Sequence, residues 1–367
     1  MSSNLYFAYG SNLNIDDFRA WCGKRGFPTD LLKFKAVVSA PDYRLGFTHY
    51  SQSRNGGVLD LVACRGQIVR GVLFEVTGQG WEALNKKEGA PTSYKKETIT
   101  VIDELGNLHD AETYIVNAEM KSDKANRYIK PSVEYLRIVR EGLDHWDLDH
   151  ELLDAASNNE DADFPNGFFF YGTLLRGEKR FPVIEKYGIE CVLLASAFGR
   201  LVDLGDYPGL VGDGRETSIV HGEFVRLSDP RKALKELDAI EGFMGYGKPH
   251  SLFHRTRMSV DVGDGRIREA WTYRLASEPK RAQVIASGDW REHLNRRREF
   301  LMRLAAIHVN GQESQVARRV ACGYPFLTDE DRKAMTKSLQ PLHESLANGM
   351  LSERKLAQAS GLWNAIP

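Results

Sequence analysis

Four short segments in the first half of the chain return, in the same order, in the second. Leu5-Tyr6-Phe7-Ala8-Tyr9-Gly10-Ser11-Asn12-Leu13 is answered 162 residues later by Phe168-Phe169-Phe170-Tyr171-Gly172-Thr173-Leu174-Leu175. Val69-Arg70-Gly71-Val72 is answered at an offset of 151 by Val220-His221-Gly222-Glu223. Leu84-Asn85-Lys86-Lys87-Glu88-Gly89 is answered at 153 by Leu237-Asp238-Ala239-Ile240-Glu241-Gly242. Ala111-Glu112-Thr113-Tyr114 is answered at 159 by Ala270-Trp271-Thr272-Tyr273. One such match would be a coincidence; four in register mean that whatever the first half folds into, the second half folds into again.

The 367 residues therefore divide into two similar domains and an appendage. Residues 1–155 form the first domain and 167–290 the second. The acidic, polar stretch 156–166, closed by Pro165-Asn166-Gly167, lacks apolar periodicity and reads as a linker. Residues 291–367 fall outside the repeat and have helical spacing, so a helical tail is expected there. Within each repeat the aromatic run is a short buried strand that leaves through a Gly-Ser or Gly-Thr turn. Residues 69–76, 98–102 and 112–116 are β-rich, as are 218–227, 254–262 and 270–275. Helices are expected over 81–85 and 230–240, each delivering a Glu-Gly at its end, where glycine is a favoured stop. Strands dominate each unit, which suits a curved mixed sheet or a small barrel.

Composition narrows the function. Lys+Arg 49 against Asp+Glu 50 gives a formal charge of -1, which argues against general nucleic-acid or anionic-membrane binding. The arginines at 291, 296, 297, 298 and 303 read as a solvated helix face. No apolar run reaches membrane-span length, and the opening residues lack a signal-peptide layout. The four cysteines are scattered, and Cys64 and Cys191 are expected to be buried small hydrophobes. A reduced, cytoplasmic setting is the expectation. The histidines show no metal-ligand spacing, and no Walker loop, GxGxxG or GxSxG is present.

Two recurring features are poorly explained by packing: the Tyr-Gly-Ser/Thr turn and the helix-terminal Glu-Gly. Consecutive backbone N–H groups in a glycine turn can cradle a carboxylate, more so where a helix follows. A glutamate beside glycine can approach a substrate closely, and burial would raise its pKa into the general acid/base range. The pair suits a small acidic substrate on which one proton is moved. Each motif alone reads more simply as a strand end or an exposed helix terminus; their joint recurrence favours function.

These residues resemble the γ-glutamylcyclotransferase family. The likeness runs through the Leu5–Leu13 opening, Asp42-Tyr43-Arg44-Leu45-Gly46-Phe47, Gly56-Gly57-Val58, Glu88-Gly89 and Pro131-Ser132-Val133-Glu134-Tyr135. The second domain is similar to the γ-glutamylamine cyclotransferase, AIG2-like branch, through Phe170–Leu174, Tyr207-Pro208-Gly209, Glu241-Gly242 and Ser251–Arg255. The resemblance implies an α+β fold: two tandem mixed β-barrels with flanking helices, each with a cavity at one end.

It also implies intramolecular aminolysis, in which the substrate's α-amine attacks its own γ-amide to give 5-oxoproline and a free amine. Carried over, the binding turn is Tyr9, Gly10, Ser11, Asn12 and Leu13 with Glu88 as acid/base and Tyr135 as wall or donor. In the second domain the turn is Tyr171, Gly172, Thr173 and Leu174, with Glu241 as acid/base. No cofactor, metal, nucleic acid or membrane is implied; the partner is a small γ-glutamyl molecule whose leaving amine stays open. Two alternatives stand beside this: a catalytically silent metabolite-binding or regulatory module, or one active domain with the other as scaffold. Tyr94 and Phe253 occupy corresponding positions and are expected to line the pockets or to pack the barrels, packing being the favoured role.

Overall fold

The computed structural model describes residues 4–121, 128–212, 217–263, 265–280 and 282–297. In chain order the first half contains β1 (Leu5–Ala8), α1 (Ile15–Gly23), β2 (Leu32–Ser51), β3 (Gly56–Val76), α2 (Gly80–Glu88), β4 (Tyr94–Asp103), β5 (Leu108–Val116), α3 (Val133–His145) and α4 (Glu151–Ser157). The second half contains β6 (Gly167–Phe170), α5 (Phe181–Glu185), β7 (Ile189–Phe198), β8 (Arg200–Asp203), β9 (Pro208–Val211), β10 (Ile219–Leu227), α6 (Pro230–Ile240), β11 (Phe253–Asp261), β12 (Ile267–Leu275) and β13 (Gln283–Val284).

Two closed barrels result. The first runs β1-β3-β2-β4-β5 and the second β6-β10-β7-β11-β12, the same cyclic order at the corresponding strands. The register repeats as well. Tyr6 faces Glu112 across the parallel β1–β5 contact, and Phe168 faces Trp271 across β6–β12. Ala8 pairs with Val72, and Phe170 pairs with Glu223. Closure through one parallel contact hides strand edges that an open sheet would expose. The repeat extends to single hydrogen bonds: the Thr113 hydroxyl donates to the Phe7 carbonyl at 2.9 Å, and Thr272 donates to Phe169 at 2.9 Å. The α+β class and the tandem barrels expected from the sequence are therefore present.

The long β2–β3 hairpin goes beyond the sequence reading, which sees only residues 69–76 of it as strand. Alternation is broken there by Pro41 and Gly46. The structure absorbs the break in register shifts, one of them between Pro41 and Tyr43, where Asp42 adopts a left-handed φ of 65. That bulge turns the Asp42 carboxylate toward the Gly66 N–H, 2.7 Å away, and toward the guanidinium of Arg255 at 2.5 Å. Arg255 is fully buried and also holds Asp238 at 2.6 Å, and Arg65 reaches the same Asp238 oxygen at 2.6 Å. Residues of the first barrel's hairpin and of the second barrel thus share one ionic cluster.

By compactness the chain falls into two units. The first gathers Met1–Phe170, Arg180–Ala197 and Glu223–Ser277. The second gathers Tyr171–Lys179, Phe198–Gly222 and the chain from Glu278 on, and holds the small sheet β13-β8-β9. Helix continues over 290–297; the rest of the expected helical tail, 298–367, lies outside the described residues. Cys22 is buried, whereas Cys64 and Cys191 are only half-buried, against the expectation of core packing; both sit on strands whose faces alternate between inside and out. No helix among the described residues is long and apolar enough to cross a membrane.

Candidate functional site

The first barrel's site is assembled from three elements that the sequence starts and stops sharply. Asn14 caps α1 by accepting from the Asp17 N–H, with Asp16 and Asp17 in its first turn. The Ser132 hydroxyl caps α3 by accepting from the Tyr135 N–H at 3.2 Å, which fixes Tyr135 in the opening turn. α2 ends on Glu88 because Gly89 takes a left-handed φ of 63, a conformation glycine adopts without penalty. Between β1 and α1 the turn Ser11–Leu13 closes with the Leu13 N–H donating to the Gly10 carbonyl at 2.9 Å. α3 lies directly against that turn: a Cβ on Gly142 would come within 2.6 Å of the Asn14 nitrogen, so only glycine permits the contact.

These elements bring the turn and the glutamate together. The Asn12 amide donates to Glu88 Oε1 at 2.8 Å and to the Tyr6 hydroxyl at 2.8 Å. Both amide hydrogens are thereby spent, while the buried Asn12 carbonyl oxygen has no partner among the described residues. The Tyr135 hydroxyl accepts from the Leu59 N–H at 3.2 Å, and Tyr94 donates to the Leu59 carbonyl at 2.8 Å. Tyr9 lies deeper, donating to the Tyr114 carbonyl at 2.6 Å, and Leu13 is fully buried core. A cavity of about 450 Å³ opens above them, lined among others by Ser11, Glu88, Tyr94 and Tyr135.

Burial pushes the Glu88 carboxyl above its ordinary pKa, against the opposing pull of Lys87, the Asn12 bond and Arg54. Burial also works against the Asp17 carboxylate, but Lys87 at 2.8 Å and Arg54 at 2.9 Å outweigh it and hold that group below its usual range. The cavity therefore contains one carboxyl poised to exchange a proton and one locked as an anion.

In the second barrel α6 is capped by Asp229, with Pro230 at its first position, and ends at Glu241 before Gly242 at φ 62. The exit from the helix repeats that of α2: Ser93 N–H donates to the Gly89 carbonyl at 2.9 Å, and Leu252 N–H to that of Gly242 at 3.1 Å. Asn85 accepts from the Tyr114 hydroxyl at 2.7 Å, and Asp238 accepts from Tyr273 at 2.7 Å. Glu241 is half-buried, and desolvation pushes its pKa up to about 7 despite Arg180. Its carboxyl has no hydrogen-bond partner among the described residues. Tyr171, Gly172, Thr173 and Leu174 belong to the second unit, where Tyr171 accepts from the Leu210 N–H at 3.3 Å and Gly172 packs on Pro208.

Against this geometry the comparisons with known proteins can be set. The family model described as "Gamma-glutamyl cyclotransferase, AIG2-like" matches residues 6–137 and again 168–292. The chain belongs to this family. No curated protein matches it significantly. Among solved structures it is similar to one titled "Gamma-glutamyl cyclotransferase" at 21% identity, covering 43% of this chain and 88% of that one, with a TM-score of 0.35. YkqA from Bacillus subtilis is similar at 15% identity, covering 76% and 85%, with a TM-score of 0.32. An AIG2-like protein from Mus musculus is similar at 21% identity, covering 31% and 80%, with a TM-score of 0.25.

For this γ-glutamyl cyclotransferase-like chain, the expected residues Ser11, Glu88 and Tyr135 meet around one cavity, with Gly10 and Asn12 in the turn that supports it. Tyr94, for which the sequence favours packing, lines the cavity. Its counterpart Phe253 is buried in the second barrel, as expected. Sequence reasoning missed Tyr6, Asp17, Arg54 and Lys87. Lys87 abuts Glu88 in the chain, and Tyr6 is a polar member of an otherwise apolar run; Arg54 reaches the cavity only through the long hairpin.

Proposed function

We propose that the first barrel is a γ-glutamyl cyclotransferase that converts a γ-glutamyl amide into 5-oxoproline and a free amine. The reading is carried by one observation: the Asn12 amide, delivered by the glycine turn, holds the half-buried carboxyl of Glu88 at the wall of an open cavity. The substrate's α-nitrogen bonds to its own γ-carbonyl carbon, and the bond from that carbon to the leaving nitrogen breaks. The attacking ammonium sheds two protons on the way to the lactam N–H; Glu88 relays them in turn to the leaving nitrogen, which departs as an ammonium, so no net proton is consumed or released. The unpaired Asn12 carbonyl is an acceptor for a remaining ammonium hydrogen. Folding the glutamyl chain back on itself replaces an encounter by proximity, and such preorganisation can contribute about 7–11 kcal/mol in favourable systems. The backbone N–H groups of the turn at Gly10, Ser11 and Asn12 would receive the α-carboxylate, as the resemblance implies.

Glu241 is proposed as acid/base in the second barrel; the turn at Gly172, Thr173 and Leu174 is proposed to bind substrate only as the resemblance implies. A scaffold role for that barrel has its own support, because Leu174 and Phe168 stand where the first repeat has Asn12 and Tyr6. Incubation of the protein with a panel of γ-glutamyl amides and chromatographic detection of 5-oxoproline tests the activity. Release that survives in the Glu88→Gln, Glu241→Gln double variant would overturn both assignments.

A further inference from the structure

The first barrel's cavity is far more basic than the chain that builds it. Lys24, Arg25, Arg54, Lys86 and Lys87 line it against two carboxylates, Asp17 and Glu88, whereas the whole protein carries a formal charge of -1. Arg54 and Lys87 are committed to Asp17. Lys24, Arg25 and Lys86 are exposed at the outer part of the cavity and have no carboxylate partner among the described residues.

Helix termini alone would account for some of this, since cations favour helix C-terminal ends and Lys24 and Lys86 sit at those of α1 and α2. They do not account for how two of the cations are held. Trp21 and Phe27 stack with ring centroids 6.1 Å apart. The Arg25 guanidinium lies 4.4 Å from the Trp21 ring and the Lys86 ammonium 5.6 Å from that of Phe27. Long exposed side chains ordinarily keep their rotamer freedom. Here an aromatic pair holds two charges, one on each ring, before any ligand arrives, which lowers the entropy cost of binding an anion there. A γ-glutamyl group brings one carboxylate of its own, and that is assigned to the turn; the charges on the aromatic pair line the same cavity and are left for what is attached to it.

We propose, resting on the catalytic reading above, that this cavity takes γ-glutamyl amides whose leaving amine is a dianion, with Arg25 and Lys86, aided by Lys24, as the specificity determinants. A dicarboxylic amino acid and a phosphorylated amine share this chemistry.

The test is a charge series: γ-glutamyl-propylamine with a neutral leaving group, γ-glutamyl-alanine with one carboxylate, and γ-glutamyl-glutamate and γ-glutamyl-phosphoethanolamine with two charges. The expected result is a kcat/KM about 10-fold or more higher for the dianions than for the neutral amide at low ionic strength, shrinking as salt is added. The two dianions tell a carboxylate reader from a phosphate reader. In the Arg25→Ala, Lys86→Ala double variant, with folding checked by circular dichroism, the ratio should collapse toward one. A flat series, or one that favours the neutral amide, overturns the proposal. The same four compounds titrated calorimetrically into Glu88→Gln give an ordering that needs no turnover. Charge-ordered binding without 5-oxoproline from the parent protein would uphold the charge selectivity and sink the catalytic reading. Turnover without charge ordering would do the reverse.

Discussion

The two barrels share strand order, register and even individual hydrogen bonds, yet the surroundings of their equivalent glutamates differ. Glu88 receives an amide hydrogen from Asn12, itself tied to the Tyr6 hydroxyl, and stands beside Lys87. Glu241 follows Ile240 rather than a lysine, and the matching sequence positions carry Leu174 and Phe168. Burial raises both carboxyls, but only Glu88 has several opposing partners, and Glu241 is left at about 7. What stayed constant after duplication is what the backbone needs, such as Thr113 and Thr272 or Gly89 and Gly242. What diverged is the set of groups around the carboxyl.

The sharpest way to break this comparison is Glu88→Gln, which keeps size and polarity but removes the proton acceptor. It should lower 5-oxoproline formation on the first barrel's substrate by about 10²–10⁴-fold. Rate loss confined to Glu241→Gln would reverse the ranking of the two sites.

Asn12→Leu gives the first barrel the second barrel's residue. Loss of one charge-assisted hydrogen bond costs on the order of 1–3 kcal/mol, so a fall of roughly 5- to 100-fold in kcat/KM is expected. The acid limb of the pH–rate profile should move to higher pH, because a donor that favours the ionised carboxyl is gone. An unmoved limb would show that Asn12 does not tune Glu88.

In the parent protein the two limbs should separate. Activity that needs an ionised Glu241 should rise with pH through a midpoint near 7, while activity that needs Glu88 should rise at lower pH, since Lys87, Asn12 and Arg54 all favour its charge. Coincident limbs in the two single variants would dissolve the distinction.

The smallest effect concerns stability. Folding raises the Glu241 pKa from its ordinary 4.5 to about 7, so the folded chain favours the protonated form. That contribution is fully present below pH 4.5 and is lost as pH rises through 7. Glu241→Gln should therefore stabilise the protein at pH 8 more than at pH 5, by on the order of 1–2 kcal/mol after allowance for partial exposure, read as a larger gain in melting temperature at pH 8. Equal gains at both pH values would contradict the shift.

Much of this architecture was legible in the residues. The aromatic runs, the Glu-Gly helix ends and the four repeat anchors mark β1 and β6, α2 and α6, and the duplication itself. The hairpin β2–β3 was not, because Pro41 and Gly46 interrupt its alternation and a bulge such as Asp42 leaves no periodic trace. Glu88 could be named from its motif and its repetition. Its partners could not all be named the same way: Arg54 lies at the far end of that unseen hairpin, and its ion pair with Asp17 spans 37 residues of chain. Tyr94 fills both roles the residues leave open: it is buried in the core and also lines the cavity, which only the fold could show.

The cluster around Arg255 bears on the history of the chain. Where the first barrel has neutral Asn85 beneath its tyrosine, the second has Asp238, an anion that makes sense only beside Arg255 and Arg65. Arg255 in turn reaches across to Asp42. A lone copy of the second barrel would lose Asp42 and Arg65 together, leaving Arg255 and Asp238 to pair with each other alone. Two similar copies have in this way come to share charges, so a substitution at Asp42 or Arg65 in the earlier one is felt by the buried pair of the later one.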